Sequence, residues 1–162
     1  MIRYALVLSL LAFALGCGQQ KPQTDTPANP KAPDRPRIPT TDEEAASMSG
    51  VWRVVGIEAA GEKVPDDRVK KLDLTYVFDS GKVTVRRPDR PDNPGTYNVD
   101  PSRAPKRIDL FLSGQGITRG VYKMNGNTMR LCLVTDDNYK TYPAVVESTA
   151  SPKTDVLTLE RR

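Results

Sequence analysis

Histidine is missing altogether from this chain of 162 residues, and cysteine occurs only twice, at Cys17 and Cys132. Without imidazole there is no Ser-His-Asp or Cys-His pair, no histidine-ligated zinc and no imidazole general base. A long hydrophobic run is also lacking: the longest, from Tyr4 to Leu15, falls short of the roughly 20 residues that span a bilayer as a helix. No glycine-rich loop follows a strand and opens a helix, so nothing suggests phosphate cradling. Aromatic residues make up only 6% of the chain, with Trp52 as the one tryptophan.

Charge of one sign is scarce once it is placed. The formal net charge is +4, but five of the 24 basic residues and two of the 20 acidic ones precede Thr41, leaving 19 against 18 after it. A nucleic-acid binder needs a clustered basic face. Arg86-Arg87-Pro88-Asp89-Arg90 is the one compact candidate, and it reads as a solvated, edge-protecting hairpin tip. No nucleic-acid partner is expected.

What is present begins with an export signal. Arg3, the short apolar run and the small residues after it have the form of a secretory signal over 1–16. Ala14-Leu15-Gly16-Cys17 resembles a bacterial lipobox, which implies cleavage before Cys17 and acylation of that residue. Two or more acyl chains, at about 0.8 kcal/mol per buried CH₂, make a stable membrane anchor. Segment 17–40 carries six of the 14 prolines and almost no apolar side chain, the composition of an extended, disordered linker. A folded domain is expected over 41–162.

That domain reads as all-β. Thr41-Asp42-Glu43-Glu44 has the form of a capping box, with Thr41 as N-cap, opening a short helical turn before Gly50. Val51 to Glu58 is a strand. Gly61 offers a turn, and Pro65 with Asp66, Asp67, Lys70 and Lys71 suits a second short helix. Alternation then places Leu72, Leu74, Tyr76 and Phe78 on one face of a strand, with Ser80-Gly81 as its hairpin turn. A polar tip over 88–94 leads to Gly95–Val99; Ile108, Leu110 and Leu112 alternate in the next strand. Asn125-Gly126 is the strongest hairpin signal, joining Ile117–Met124 to Thr128–Val134. After a weakly patterned stretch with one short strand expected near Ala144–Glu147, Asp155–Arg162 closes the chain. About eight short antiparallel strands in sequence, with short helices before strand 1 and between strands 1 and 2, argue for an up-and-down barrel, whose closure removes sheet edges.

Gly50-x-Trp52 at the start of the first strand, with an Arg ending the last, resembles the lipocalin and calycin signature. The resemblance implies that Arg161, which shares parity with Leu157 and Leu159, packs across Trp52 as a structural pair. Gly50-Val51-Trp52-Arg53-Val54-Val55, Gly61-Glu62-Lys63-Val64-Pro65, Gly95-Thr96-Tyr97, Asp100-Pro101-Ser102, Pro105-Lys106-Arg107-Ile108-Asp109-Leu110, Gly120-Val121-Tyr122 and Leu131-Cys132-Leu133 together resemble an uncharacterised lipocalin-like domain family abundant in planctomycete bacteria. The likeness covers 48–162 and departs at 138–150, where Thr141-Tyr142-Pro143-Ala144 replaces an Arg-Pro-containing loop. It implies a fold and no activity.

For chemistry, Asp73, Asp79, Asp109, Asp136 and Asp137 fall on polar parities or in turns, where solvation is the expected role. Glu58 shares parity with Trp52 and Val54 and could face inward. Asp136-Asp137-Asn138 falls short of a calcium ligand set, and Cys132 is expected on the outer face as a packed or half-exposed thiol. Catalysis, cofactor and metal are not expected. The barrel interior is the remaining site: Leu74, Tyr76, Tyr97, Leu110, Tyr122 and Leu131 would line it, giving either a pocket for a small apolar or amphipathic ligand or a packed core. The expected function is therefore a monomeric, membrane-anchored envelope lipoprotein that binds such a ligand; the alternative is a protein-interaction module with a filled barrel.

Overall fold

A computed structural model describes residues 38–136 and 140–162. The expected signal, Cys17, the linker up to residue 37, and Asp137 and Asn138 lie outside the described residues.

The domain starts with helix α1 (Thr41–Met48), capped one residue earlier than expected. Thr40 and Thr41 both stand three residues before a Glu. The first pair forms the box: Glu43 N–H donates to Thr40 Oγ1 at 3.3 Å and Thr40 N–H to Glu43 Oε2 at 2.9 Å. That choice frees Glu44 for the interior. Strand β1 (Gly50–Ala59) turns through Ala60-Gly61, with φ of 51° and 88°, into the two-residue β2 (Glu62–Lys63). Pro65 then caps α2 (Asp66–Leu72), whose acidic first turn and basic last turn match the helix dipole. Leu72 therefore ends a helix rather than opening a strand. Asp73 in the left-handed region breaks the periodicity there.

The meander continues through β3 (Thr75–Asp79), β4 (Lys82–Arg87), β5 (Arg90–Asp100), β6 (Lys106–Leu112), β7 (Ile117–Asn125) and β8 (Thr128–Val134), then β9 (Thr149–Ala150) and β10 (Lys153–Arg161). β5 takes in most of the expected polar tip, because Pro91 and Pro94 sit where β4 bulges between Val85 and Arg87 and the ladder loosens. The β7–β8 loop is Gly126-Asn127, one residue later than expected. Asn125 pairs with Thr128, and positive φ is confined to Gly126, the φ pattern of a II′ turn rather than I′. The short strand expected at 144–147 forms instead at 149–150.

Every neighbour along β1-β3-β4-β5-β6-β7-β8-β10 is antiparallel, and β1 pairs with β10, closing an eight-stranded up-and-down barrel of lipocalin-like form. One continuous core runs along its inside, from Trp52 and Val54 through Phe78, Val83, Val99, Ile108 and Met129 to Leu159. Many outward positions are charged or polar: Arg86, Asn98, Lys123, Arg130 and Glu160 are all exposed. A barrel crossing a membrane has the reverse pattern. Two glycines mark close strand approach: a Cβ at Gly120 would stand 2.6 Å from the Cys132 carbonyl oxygen, and one at Gly95 would stand 2.2 Å from that of Phe111.

A bulge in β1 has a consequence for the site. Val54 faces Leu159 and Gly56 faces Thr158, so Val55 is the extra residue and parity flips beyond it. Glu58, counted from Trp52 as inward, is outward and meets Arg130 at 3.2 Å.

Candidate functional site

The barrel has two unlike ends. At the end where β1 begins and β10 finishes, α1 lies across the opening like a stopper. Its last carbonyls would be unpartnered, and α1 has no basic residue in its last turn. Side chains from the barrel supply the donors. Trp52 Nε1 donates to Met48 O at 2.7 Å, while Arg161 donates through Nη1 to Ser49 O at 2.9 Å and through Nη2 to Ser47 O. The Arg161 guanidinium lies 4.5 Å from the Trp52 ring centroid, a cation–π contact worth about 0.5 to 2 kcal/mol. Gly50 adopts φ of 135°, a conformation disfavoured for other residues, and its missing Cβ leaves 3.6 Å to Arg161 Nη1. The Gly-x-Trp…Arg pattern is thus one joint, tying first strand, last strand and helix end together.

On the stopper's other side Glu44, 3% exposed, reaches into the barrel. Lys106 Nζ donates to its Oε1 at 2.7 Å and Tyr122 Oη at 3.1 Å. The Tyr97 hydroxyl donates to Ala45 O at 3.3 Å. Burial and the adjacent Glu44 carboxylate push the Tyr122 phenol far above its ordinary pKa, and burial raises that of Tyr97. Two of the phenols expected as ligand handles are therefore committed to holding α1.

The opposite end is different. There a cavity of about 420 Å³ opens between β3, β4, β5, β6, β7 and β8. Leu74, Tyr76, Val85, Leu110, Leu112 and Leu133 give it apolar walls; Arg87, Arg90, Asn93, Gln115, Thr118 and Thr135 give it polar ones. Ligand cavities run from about 300 to 1,000 Å³, so this one suits a small molecule. Burial alone pushes the Tyr76 phenol up to about 12, and among the described residues nothing hydrogen-bonds its hydroxyl. A wider hollow of about 590 Å³ shares Gln115, Thr118 and Val134 with the cavity. Its remaining lining is Gly116, Ile117, Arg119, Asp136 and Lys140, a largely polar surface rather than barrel interior.

Of the six residues expected to line the interior, Leu74, Tyr76 and Leu110 border the cavity, whereas Tyr97, Tyr122 and Leu131 are packed toward the stoppered end. Sequence reading missed Arg87, Arg90, Pro91 and Asn93. Asn93 shares the parity of Tyr97, and extending β5 upstream through its prolines would have found it. It missed Glu44 too, although Glu44 and Met48 are four apart and share a helix face.

Cys132 faces outward yet is fully buried, with Val121 and Val156, beneath Tyr142 and Val146. The strap holding them is pinned by the Tyr142 hydroxyl on both Asp109 carboxylate oxygens at 2.8 Å and by Arg107 4.5 Å from the Tyr142 ring centroid. Burial pushes the Cys132 thiol up, the opposite of what a reactive cysteine needs. Among the described residues no three Cys, Asp or Glu side chains cluster as a metal site.

No protein family, curated protein or solved structure matches this chain.

Proposed function

We propose that this chain is an exported lipoprotein of the bacterial cell envelope, anchored through acylated Cys17, whose barrel binds a small amphipathic molecule without chemically altering it. The observation that carries the reading is the asymmetry of the barrel. One end is filled and pinned by Trp52, Arg161, Glu44 and Tyr122, while the other keeps about 420 Å³ of part-apolar space against a Tyr76 hydroxyl that has no hydrogen-bond partner among the described residues. A barrel needing only a core would gain about 25 cal/mol for each Å² of apolar wall it covered. The non-catalytic part of the reading is supported by the absence of histidine and by carboxylates engaged on the outer surface, Glu58 with Arg130 at 3.2 Å and Asp73 with Arg53 at 3.1 Å.

Native and denaturing mass spectrometry of the protein recovered from membranes of its own host tests both halves. A stoichiometric mass that leaves on denaturation supports the ligand. A bare mass favours the alternative, an interaction module with its loops as the contact surface. The denatured mass also reads the anchor: a chain beginning at Cys17 and carrying acyl groups is expected, and an unacylated chain sinks that part alone.

A further inference from the structure

We infer that the molecule taken up by the cavity is an anionic amphipath, a single-chain acid whose tail lies against Leu110, Leu112 and Leu133 and whose head meets Arg87 and Arg90. This rests on the ligand-binding reading above. Of the 14 residues lining the cavity two are arginines and none is Asp or Glu. Both arginines stand at the rim, paired across the β4–β5 hairpin. Asp89 sits beside them but does not exhaust them. It accepts from Arg87 Nε and Nη2 at 3.0 Å each and stays 3.7 Å from Arg90 Nε, beyond a good hydrogen bond. Arg87 Nη1 and both Nη groups of Arg90 have no partner among the described residues. One carboxylate against two guanidiniums leaves a net positive charge and free forked donors, the geometry that suits a carboxylate or a phosphate monoester. The volume sets the size: about 420 Å³, at roughly 30 Å³ per water-sized group, holds on the order of 14 non-hydrogen atoms.

The test compares decanoate, decanol and decyltrimethylammonium, matched in chain and differing in head charge, by isothermal titration at neutral pH. The protein is the full chain carrying Cys17→Ser, so that no acyl group of its own competes. Decanoate is expected to bind about tenfold more tightly than decanol, with the cation weakest, as for a charge-assisted contact at a partly solvated rim. The R87Q/R90Q double variant should bring decanoate to the level of decanol and leave decanol unchanged. Raising the salt concentration should weaken only decanoate. Equal binding of all three probes, or preference for the cation, overturns the head-group assignment while leaving the cavity as a ligand site. Binding of none removes the ligand reading and this inference with it. If the double variant loses both decanoate and decanol, salt-insensitive decanoate binding by the unmodified rim overturns the proposal, and salt sensitivity upholds it.

Discussion

Removing the charge of Lys106 should destabilise the domain far more than removing that of Glu44, although the two form one ion pair. Glu44 is 3% exposed and Lys106 is 33% exposed, with 2.7 Å between Nζ and Oε1. In Lys106→Met the carboxylate is left inside the barrel with only the Tyr122 hydroxyl, and an uncompensated buried charge of this kind costs about 3 to 5 kcal/mol. In Glu44→Gln the amide oxygen still accepts from Tyr122, and the half-solvated ammonium can swing to water. The loss there should be about 1 to 2 kcal/mol. Combining the two substitutions removes both charges and keeps the Tyr122 hydrogen bond, so the double variant should return to within about 1 to 2 kcal/mol of the parent. The assay is urea unfolding followed by the fluorescence of Trp52, the single tryptophan, which is fully buried and hydrogen-bonded to the same helix. A coupling of at least about 2 kcal/mol is expected. Additive losses, to within about 0.5 kcal/mol, would refute the claim that the pair is held in a low-dielectric site.

The joint at the stoppered end predicts that Arg161→Ala lowers stability by about 2 to 3 kcal/mol, combining a lost cation–π contact with two orphaned carbonyls. Arg161→Lys should recover only part, since a point charge cannot reach Ser47 O and Ser49 O together; thermal unfolding of both variants beside Arg162→Ala, expected near neutral, checks this. Gly120→Ala should cost about 1 to 3 kcal/mol, because its Cβ would stand 2.6 Å from Cys132 O and 2.7 Å from Leu133 Cδ2. Gly116→Ala, with nothing within 4 Å, should be nearly silent in the same urea assay. Burial raises the Tyr76 pKa from 10.0 to about 12, so its contribution is whole below the unfolded value and is lost as pH rises from about 10 to 12. Tyr76→Phe should therefore remove one proton's worth of slope from the alkaline limb of stability against pH, and an unchanged slope would contradict the buried placement.

The strands, their order and the closure of the barrel were legible because alternation survives wherever one face is wet. Leu110 and Asp109, or Leu131 and Arg130, cannot exchange faces without inverting the core. The Trp52–Arg161 joint was legible through the resemblance to the lipocalin signature, and parity from Leu157 and Leu159 served to choose Arg161 over Arg162. Parity failed at Glu58, where one inserted residue, Val55, reverses every count beyond it and no side chain announces a bulge. It failed again at the rim, where Pro91 and Pro94 read as loop residues yet sit in a strand whose ladder is already loosened. Which half of the interior would be filled was not legible at all. That was decided by Glu44, a residue that looks like half of a capping box until Thr40 rather than Thr41 takes the cap.

The position of α1 also fixes how force would pass through the molecule. The chain runs from residue 38 into α1 and only then into β1, at the closed end and opposite the cavity mouth. Tension on that side meets the helix first, and the helix is fastened to β5, β6, β7 and β10 through Tyr97, Lys106, Tyr122 and Arg161. A pull is therefore shared among several strands in place of peeling β1 from its neighbours one hydrogen bond at a time. Were the domain held from that side, it would be gripped by its base, like a cup held by the foot, with the load entering at the end away from the cavity mouth.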